Sequence, residues 1–145
     1  MTSSDKELLN IIKSTFGAQI SIHNFNENGR MHIILKSPNT ENDIEVFYDN
    51  ELLVVSIGEW THKHPESMKR TIELIDDIIK DKIIIWKITK RDQGWYSGHY
   101  HVDEYAKQPE MVDEPFTYLE DEDLLELSTF NRIIKTKEEL QQIAP

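Results

Sequence analysis

The apolar positions near the start of the chain recur with the period of a helix. They run from Leu8 to Phe16 at spacings of one, three and four residues. Ser4 and Glu7 precede them with the spacing of a capping box, in which each side chain hydrogen-bonds an amide group that the first turn leaves free. Gly17 follows the last apolar residue and supplies a left-handed stop. This pattern predicts a first helix.

From Ile20 onwards the apolar residues no longer recur at helical spacing but occupy every second position, which is the pattern of a half-buried strand. Asn26-Glu27-Asn28-Gly29 has the composition of a hairpin turn. The connections between these strands are short, whereas parallel neighbours need long crossovers. The pattern therefore predicts an antiparallel meander. The four predicted strands contain Ile20–Ile22, Met31–Leu35, Ile44–Tyr48 and Leu53–Ile57.

Helical spacing returns after Pro65, a residue that suits the first position of a helix. The apolar face between Met68 and Ile79 predicts the second helix. Lys82–Ile88 is then apolar on both faces, which is typical of a central strand. Asp92-Gln93-Gly94 turns this strand into a further strand, Trp95–Val102.

A last short helix is predicted from Thr136, with Glu139 as its capping partner. The order of elements predicts a single α+β domain over residues 1–145. Its antiparallel sheet has about six strands, in the order of a four-strand meander, a helix and two more strands. The helices are expected mainly on one face of that sheet.

Negative charge is concentrated in one part of the sequence. The 145 residues carry a net charge of −11. Residues 1–102 hold 15 acidic and 12 basic side chains (net −3), whereas residues 103–126, the acidic segment, hold ten acidic residues and only Lys107 (net −9). The last 19 residues carry a net charge of +1. This balance argues against binding to nucleic acid, which requires a basic surface.

The acidic segment has two interpretations: a solvated region that favours solubility, or a surface that binds a basic protein. Aromatic and aliphatic residues interleaved with the acids favour the second, because interfaces use such side chains as anchors. The candidate partner-binding residues are Glu110, Asp113, Glu114, Phe116, Tyr118, Glu120, Asp121, Glu122 and Asp123, with Trp60 and Trp95 from the preceding strands.

Several kinds of chemistry have no support in the sequence. The chain has no cysteine, which excludes disulfides, Cys-ligated metals and thiol nucleophiles and fits a reducing compartment. It has no glycine-rich phosphate loop and no nucleophile elbow. Neither a signal peptide nor an apolar run of membrane-spanning length is visible. We therefore expect a cytoplasmic protein that is not an enzyme, has no cofactor and does not bind membranes.

Two His-x-His pairs are the remaining candidates for chemistry: His62 with His64, and His99 with His101. Alternate residues of a strand share a face, so each pair has the spacing to chelate zinc, nickel or iron, with Asp103 as a further ligand. Strand alternation places both pairs on the face away from the helices. The alternatives are an exposed recognition face shared with the tryptophans, or ordinary structural histidines. A metal site is not expected.

The stretch Leu52–His64 ends in Gly58-Glu59-Trp60-Thr61-His62-Lys63-His64 and is followed by the helix and the strands described above. With Trp95-Tyr96-Ser97-Gly98-His99-Tyr100, it resembles small bacterial immunity proteins of polymorphic toxin systems, over roughly residues 44–105. The resemblance implies a cytoplasmic, non-enzymatic protein that binds and neutralises a toxin, commonly a nuclease or another basic enzyme. An adaptor or structural domain, or a His-rich metal-binding protein, are the alternatives.

Overall fold

A computed structural model describes residues 2–58, 61–90, 94–103 and 122–143 of the chain. Within these residues the fold is α+β, with three helices and two antiparallel sheets of five and four strands, which confirms the predicted class. The chain divides into two compact units, Met1–Asp76 (unit 1) and Asp77–Pro145 (unit 2). The helices are α1 (Ser3–Phe16), α2 (Met68–Ile79), which contains the point of division, and α3 (Lys137–Ile143).

The sheet of unit 1 is a meander in which each strand pairs with the next along the chain. Asn28 and Gly29 both have positive φ (53° and 80°), the conformation of a two-residue hairpin turn that matches strand twist. Strands are confirmed in all four predicted places, but the first begins only at Ile22 and continues to Glu27, into the predicted turn, and a fifth short strand adds to the edge. The strands are β1 (Ile22–Glu27), β2 (Arg30–Leu35), β3 (Ile44–Asp49), β4 (Leu52–Ile57) and β5 (Thr61–Lys63).

The first helix has different ends from those predicted. Thr2, not Ser4, is the N-cap: its hydroxyl accepts a hydrogen bond of 3.0 Å from the N–H of Asp5. Gly17 has φ −63°, so the predicted left-handed stop is wrong. Asp5 lies three and four residues before Leu8 and Leu9, and so shares the buried face of the helix with these residues, Ile12 and Phe16.

One face of the unit 1 sheet is apolar and buried. Along β2, buried and half-buried residues alternate strictly, as expected for a strand with one face in the core. Helix α1 contacts this strand. The buried residues of the sheet include Met31, Ile33, Leu35, Ile44, Val46, Val55 and Ile57.

Helix α2 begins three residues later than Pro65 predicts. Its cap is Ser67, whose side-chain oxygen accepts the N–H of Arg70 at 3.1 Å. Pro65 therefore lies before the helix, in the connection from β5. The predicted end at Ile79 is confirmed.

The unit 2 sheet has the order β7-β6-β8-β9, so β6 is central, as its apolar sequence predicts. Strands β8 and β9 were not predicted. A buried cluster of Ile84, Leu127, Ile134 and Leu140 joins this sheet to α3. Thr136 caps α3 by accepting the N–H of Glu139 at 3.1 Å, which confirms that prediction. The strands are β6 (Ile83–Lys90), β7 (Gly94–His101), β8 (Leu124–Ser128) and β9 (Ile133–Ile134).

Candidate functional site

The acidic segment connects two strands that lie on opposite sides of β6. Because β7 and β8 are each antiparallel to β6, they run in the same direction. His101 at the end of β7 is opposite Ile83, whereas Leu124 at the start of β8 is opposite Thr89, six residues further along β6. The connection therefore spans about 20 Å, from one end of the sheet to the other. Residues 104–121 of it lie outside the described residues.

The first end of the acidic segment is held by His101. The N–H of Asp103 donates a hydrogen bond of 3.0 Å to His101 Nδ1. His101 Nε2 lies 3.1 Å from an oxygen of Asp77 at the end of α2. Since Nδ1 acts as the acceptor, Nε2 carries the proton and donates it to Asp77. His101 thus fixes the start of the segment, while the Asp103 side chain is 82% exposed.

The second end is held by an ion pair. Lys90 Nζ, at the end of β6, lies 3.1 Å from an oxygen of Asp123, whose side chain is only 6% exposed. A buried carboxylate requires such a partner, because desolvation without one is costly. Asp123 was predicted as a partner-binding residue. Its burial and its pairing with Lys90 assign it instead to holding the segment on the sheet.

The described end of the acidic segment presents an apolar side chain between two acids. Leu124 is 57% exposed, and Glu122 and Glu126 are both exposed. Leu127, which follows on the same strand, belongs to the buried cluster, so β8 keeps one face in the core. Leu124 and Glu126 were not among the predicted site residues. The sequence signal for them was a strand-like alternation inside a segment dominated by charge.

The His-x-His pairs occupy different environments. On β5, His62 is opposite Ser56 and so shares the face away from the buried Val55, as strand alternation predicts. Its ring centroid lies 5.1 Å from that of His64, in an edge-to-face contact, and both side chains are exposed. His99 belongs to unit 2 and is half-buried.

His99 and His101 share one face of β7, as predicted, but this face is not turned away from the helices. Their partners on β6 are Ile85 and Ile83, and His101 Nε2 lies 3.1 Å from an oxygen of Asp77 on α2. Ile83 and Ile85 are buried there. The hypothesis of an exposed recognition face therefore does not describe this part of β7.

Metal binding finds no support in the described part of the chain. Those residues contain no group of three or more His, Asp or Glu side chains that could hold a metal ion. Both ring nitrogens of His101 are engaged by Asp77 and Asp103. The four histidines considered as metal ligands, His62, His64, His99 and His101, are divided between the two units.

The other predicted site residues cannot be placed in a described contact. Trp95 lies on β7. Outside the described residues lie Trp60, Glu110, Asp113, Glu114, Phe116, Tyr118, Glu120 and Asp121.

Comparison of the chain with protein-family models, curated proteins and solved structures finds no match. The resemblance to immunity proteins therefore stays a prediction. Among the described helices, none has the length and apolar character needed to cross a membrane.

Proposed function

We propose that this protein is a non-enzymatic inhibitor of the immunity type, which binds and neutralises a basic toxin domain through the acidic segment. The observation that supports the proposal is the segment's charge, ten acidic residues against Lys107. The exposed Leu124 between Glu122 and Glu126 adds an apolar anchor to that charge.

The chemistry of the expected partner fits this surface. An enzyme that acts on nucleic acid carries a cationic groove, because neutralising phosphates provides much of its affinity. A protein that presents carboxylates can occupy the same groove. Complementary charge also speeds the encounter of the two proteins, which favours an inhibitor that must act before its target does.

The anchored ends of the segment also favour binding. Ordering a chain segment on binding costs conformational entropy. A segment that is attached at both ends is already restricted, so it loses less conformational entropy when it binds. Here the attachments are the hydrogen bond from Asp103 to His101 and the ion pair of Asp123 with Lys90. As part of the same proposal we place the protein in the cytoplasm, since a chain without cysteine fits a reducing compartment.

The proposal predicts that the gene lies next to one that encodes a modular toxin with a basic domain, and co-expression with that domain tests the function. The wild-type chain is expected to restore growth to cells that produce that domain. The variant Glu120→Gln/Asp121→Asn/Glu122→Gln is expected to protect at least about tenfold less well, because it removes three charges from the segment. Failure of the wild-type chain to protect would contradict the inhibitor function and leave the adaptor alternative.

A charge-matched control separates the segment from net charge. The variant Glu7→Gln/Glu41→Gln/Glu138→Gln also removes three charges, at exposed positions outside the acidic segment. It is expected to protect as well as the wild-type chain. Equal loss in both variants would mean that total charge matters, rather than the acidic segment.

A further inference from the structure

Unit 1 contains a cavity that the acidic segment does not form. It has a volume of about 460 Å³ and lies between the start of α1, the β3–β4 turn and the connection before α2. This is within the usual size range of ligand pockets. Its apolar lining includes Leu8, Leu53 and Met68, and its polar lining includes Tyr48, Glu51 and Glu66.

Next to the cavity, a buried ion pair joins α1 to β2. Arg30 donates two hydrogen bonds of 3.1 Å to the two oxygens of Asp5, whose side chain has no exposure. The N–H of Met31 donates a third, also at 3.1 Å. Burial by itself raises the pKa of Asp5, but the hydrogen bonds from Arg30, Thr2 and Met31 outweigh it and lower that pKa to about 2. Asp5 is therefore ionised and balances the charge of Arg30.

With Arg30 balanced by Asp5, the carboxylates of the cavity are in excess. Glu51 lies 3.5 Å from Arg30 but its side chain is 93% exposed. Glu66 is also exposed and, among the described residues, forms an ion pair with none. An anion at this position would be repelled, whereas a cation would be attracted by both groups.

Tyr48, one of the lining residues, holds a cation of the fold on its ring. The guanidinium carbon of Arg30 lies 3.6 Å from the centroid of that ring, a cation–π contact. Burial raises the pKa of Tyr48, and the nearby Asp5 adds to this, so the side chain stays uncharged. The cavity thus combines an apolar lining with two exposed carboxylates.

This combination matches one class of side chain. Lysine and arginine carry a methylene stem that packs on apolar surface and a charged head that stays near solvent and carboxylates. Leu52, Glu51 and Glu66 of the lining are exposed to solvent, so the side chain of another protein can reach them. We infer that the cavity binds a lysine or arginine side chain of a partner protein, presented beside an apolar residue.

This inference rests on unit 1 alone and is tested without the toxin. The probe is the peptide acetyl-Leu-Lys-Leu-amide, titrated into ¹⁵N-labelled full-length protein and followed by NMR. Saturable shifts are expected at the amides of Leu52, Leu53 and Met68. The same peptide with norleucine in place of lysine is expected to bind roughly fivefold more weakly, the difference expected from two exposed ion pairs.

Variants at the rim show whether charge selects the peptide. Glu51→Gln/Glu66→Gln is expected to remove the preference for lysine over norleucine, while Glu41→Gln, at another exposed position of unit 1, keeps it. Both substitutions are at the surface, so the rest of the spectrum is expected to stay unchanged. Equal affinity of the wild-type protein for the two peptides, or no saturable shift with either, would overturn the inference.

Discussion

The carboxylates of the two units are used in opposite ways. In unit 1, Asp5 is fully buried and accepts hydrogen bonds from Arg30 and Met31, so its charge is balanced inside the fold. In unit 2, the acidic segment carries ten acids against Lys107, and Glu122 and Glu126 are exposed. A buried pair balances its charges inside the fold, so that losing one partner is costly, whereas surplus charge of one sign repels itself and is balanced by a partner of the opposite sign.

Asp123 shows that the acidic segment itself contains both kinds of carboxylate. It belongs to the segment by sequence, but its buried ion pair with Lys90 resembles that of Asp5 with Arg30. Whether an acidic side chain holds the fold together is therefore set by its burial and by the available cation, and not by the composition of the surrounding sequence.

The largest effect on stability is expected from breaking the pair in unit 1. Asp5→Asn leaves the charge of Arg30 without its partner and weakens the bond from the Met31 N–H. We expect the free energy of unfolding to fall by about 3 kcal/mol in urea titrations. Glu7→Gln, at an exposed position of the same helix, is the control and is expected to change it by less than about 0.5 kcal/mol. A loss below about 1 kcal/mol for Asp5→Asn would show that the pair adds little.

The pH dependence of stability gives a second measure of the same carboxylate. The pKa of Asp5 is lowered from 3.8 to about 2 in the folded protein. Its contribution is therefore complete above about pH 4 and is lost as the pH falls through 2, an effect of about 2 kcal/mol. The difference in unfolding free energy between wild type and Asp5→Asn should shrink by this amount between pH 5 and pH 2. A constant difference would contradict the lowered pKa.

In unit 2, Asp123→Asn tests whether the end of the acidic segment is held by its ion pair. Lys90 is 21% exposed, so solvent compensates part of the loss. We expect the free energy of unfolding to fall by about 1–2 kcal/mol. Glu122→Gln, one residue earlier and exposed, should have almost no effect on it. Equal effects of the two substitutions would show that Asp123 is no more structural than its neighbour.

The smallest effect on stability is expected from the acids of the segment that we propose to bind the partner. Glu120→Gln/Asp121→Asn/Glu122→Gln should leave the free energy of unfolding within about 0.5 kcal/mol of the wild-type value, or raise it slightly by relieving repulsion. Thermal unfolding followed by circular dichroism measures this. A destabilisation above about 1 kcal/mol would assign these acids to the fold rather than to a partner.

Local signals in the sequence predicted much of the fold. The Asn28-Gly29 turn, the alternating strands of unit 1 and the apolar face of α2 are each encoded by neighbouring residues. The short β5 and β9 carry too few residues for a visible period, and the alternation of β8 is hidden by the acids around it. The burial of Asp5 in α1 depends on tertiary structure, because its partner Arg30 lies 25 positions further along the chain.

The candidate binding sites are less predictable from the sequence than the helices and strands are. The concentration of acids in residues 103–126 is visible in the sequence, but the burial of Asp123 is not, since Lys90 lies 33 positions away. The cavity of unit 1 is formed by residues between Ser4 and Met68 that no local pattern connects. Only the folded meander and the helix starts bring them together.

The dependence of the association rate on salt tests the role of the acidic segment most directly. Stopped-flow mixing of the wild-type protein with the toxin domain that we propose as its partner should give a rate constant that falls at least about tenfold between 0.05 and 0.5 M NaCl, because salt screens long-range attraction. The variant Glu120→Gln/Asp121→Asn/Glu122→Gln should show a clearly weaker dependence, and the charge-matched control nearly that of the wild type. A wild-type rate that does not change with salt would contradict the account.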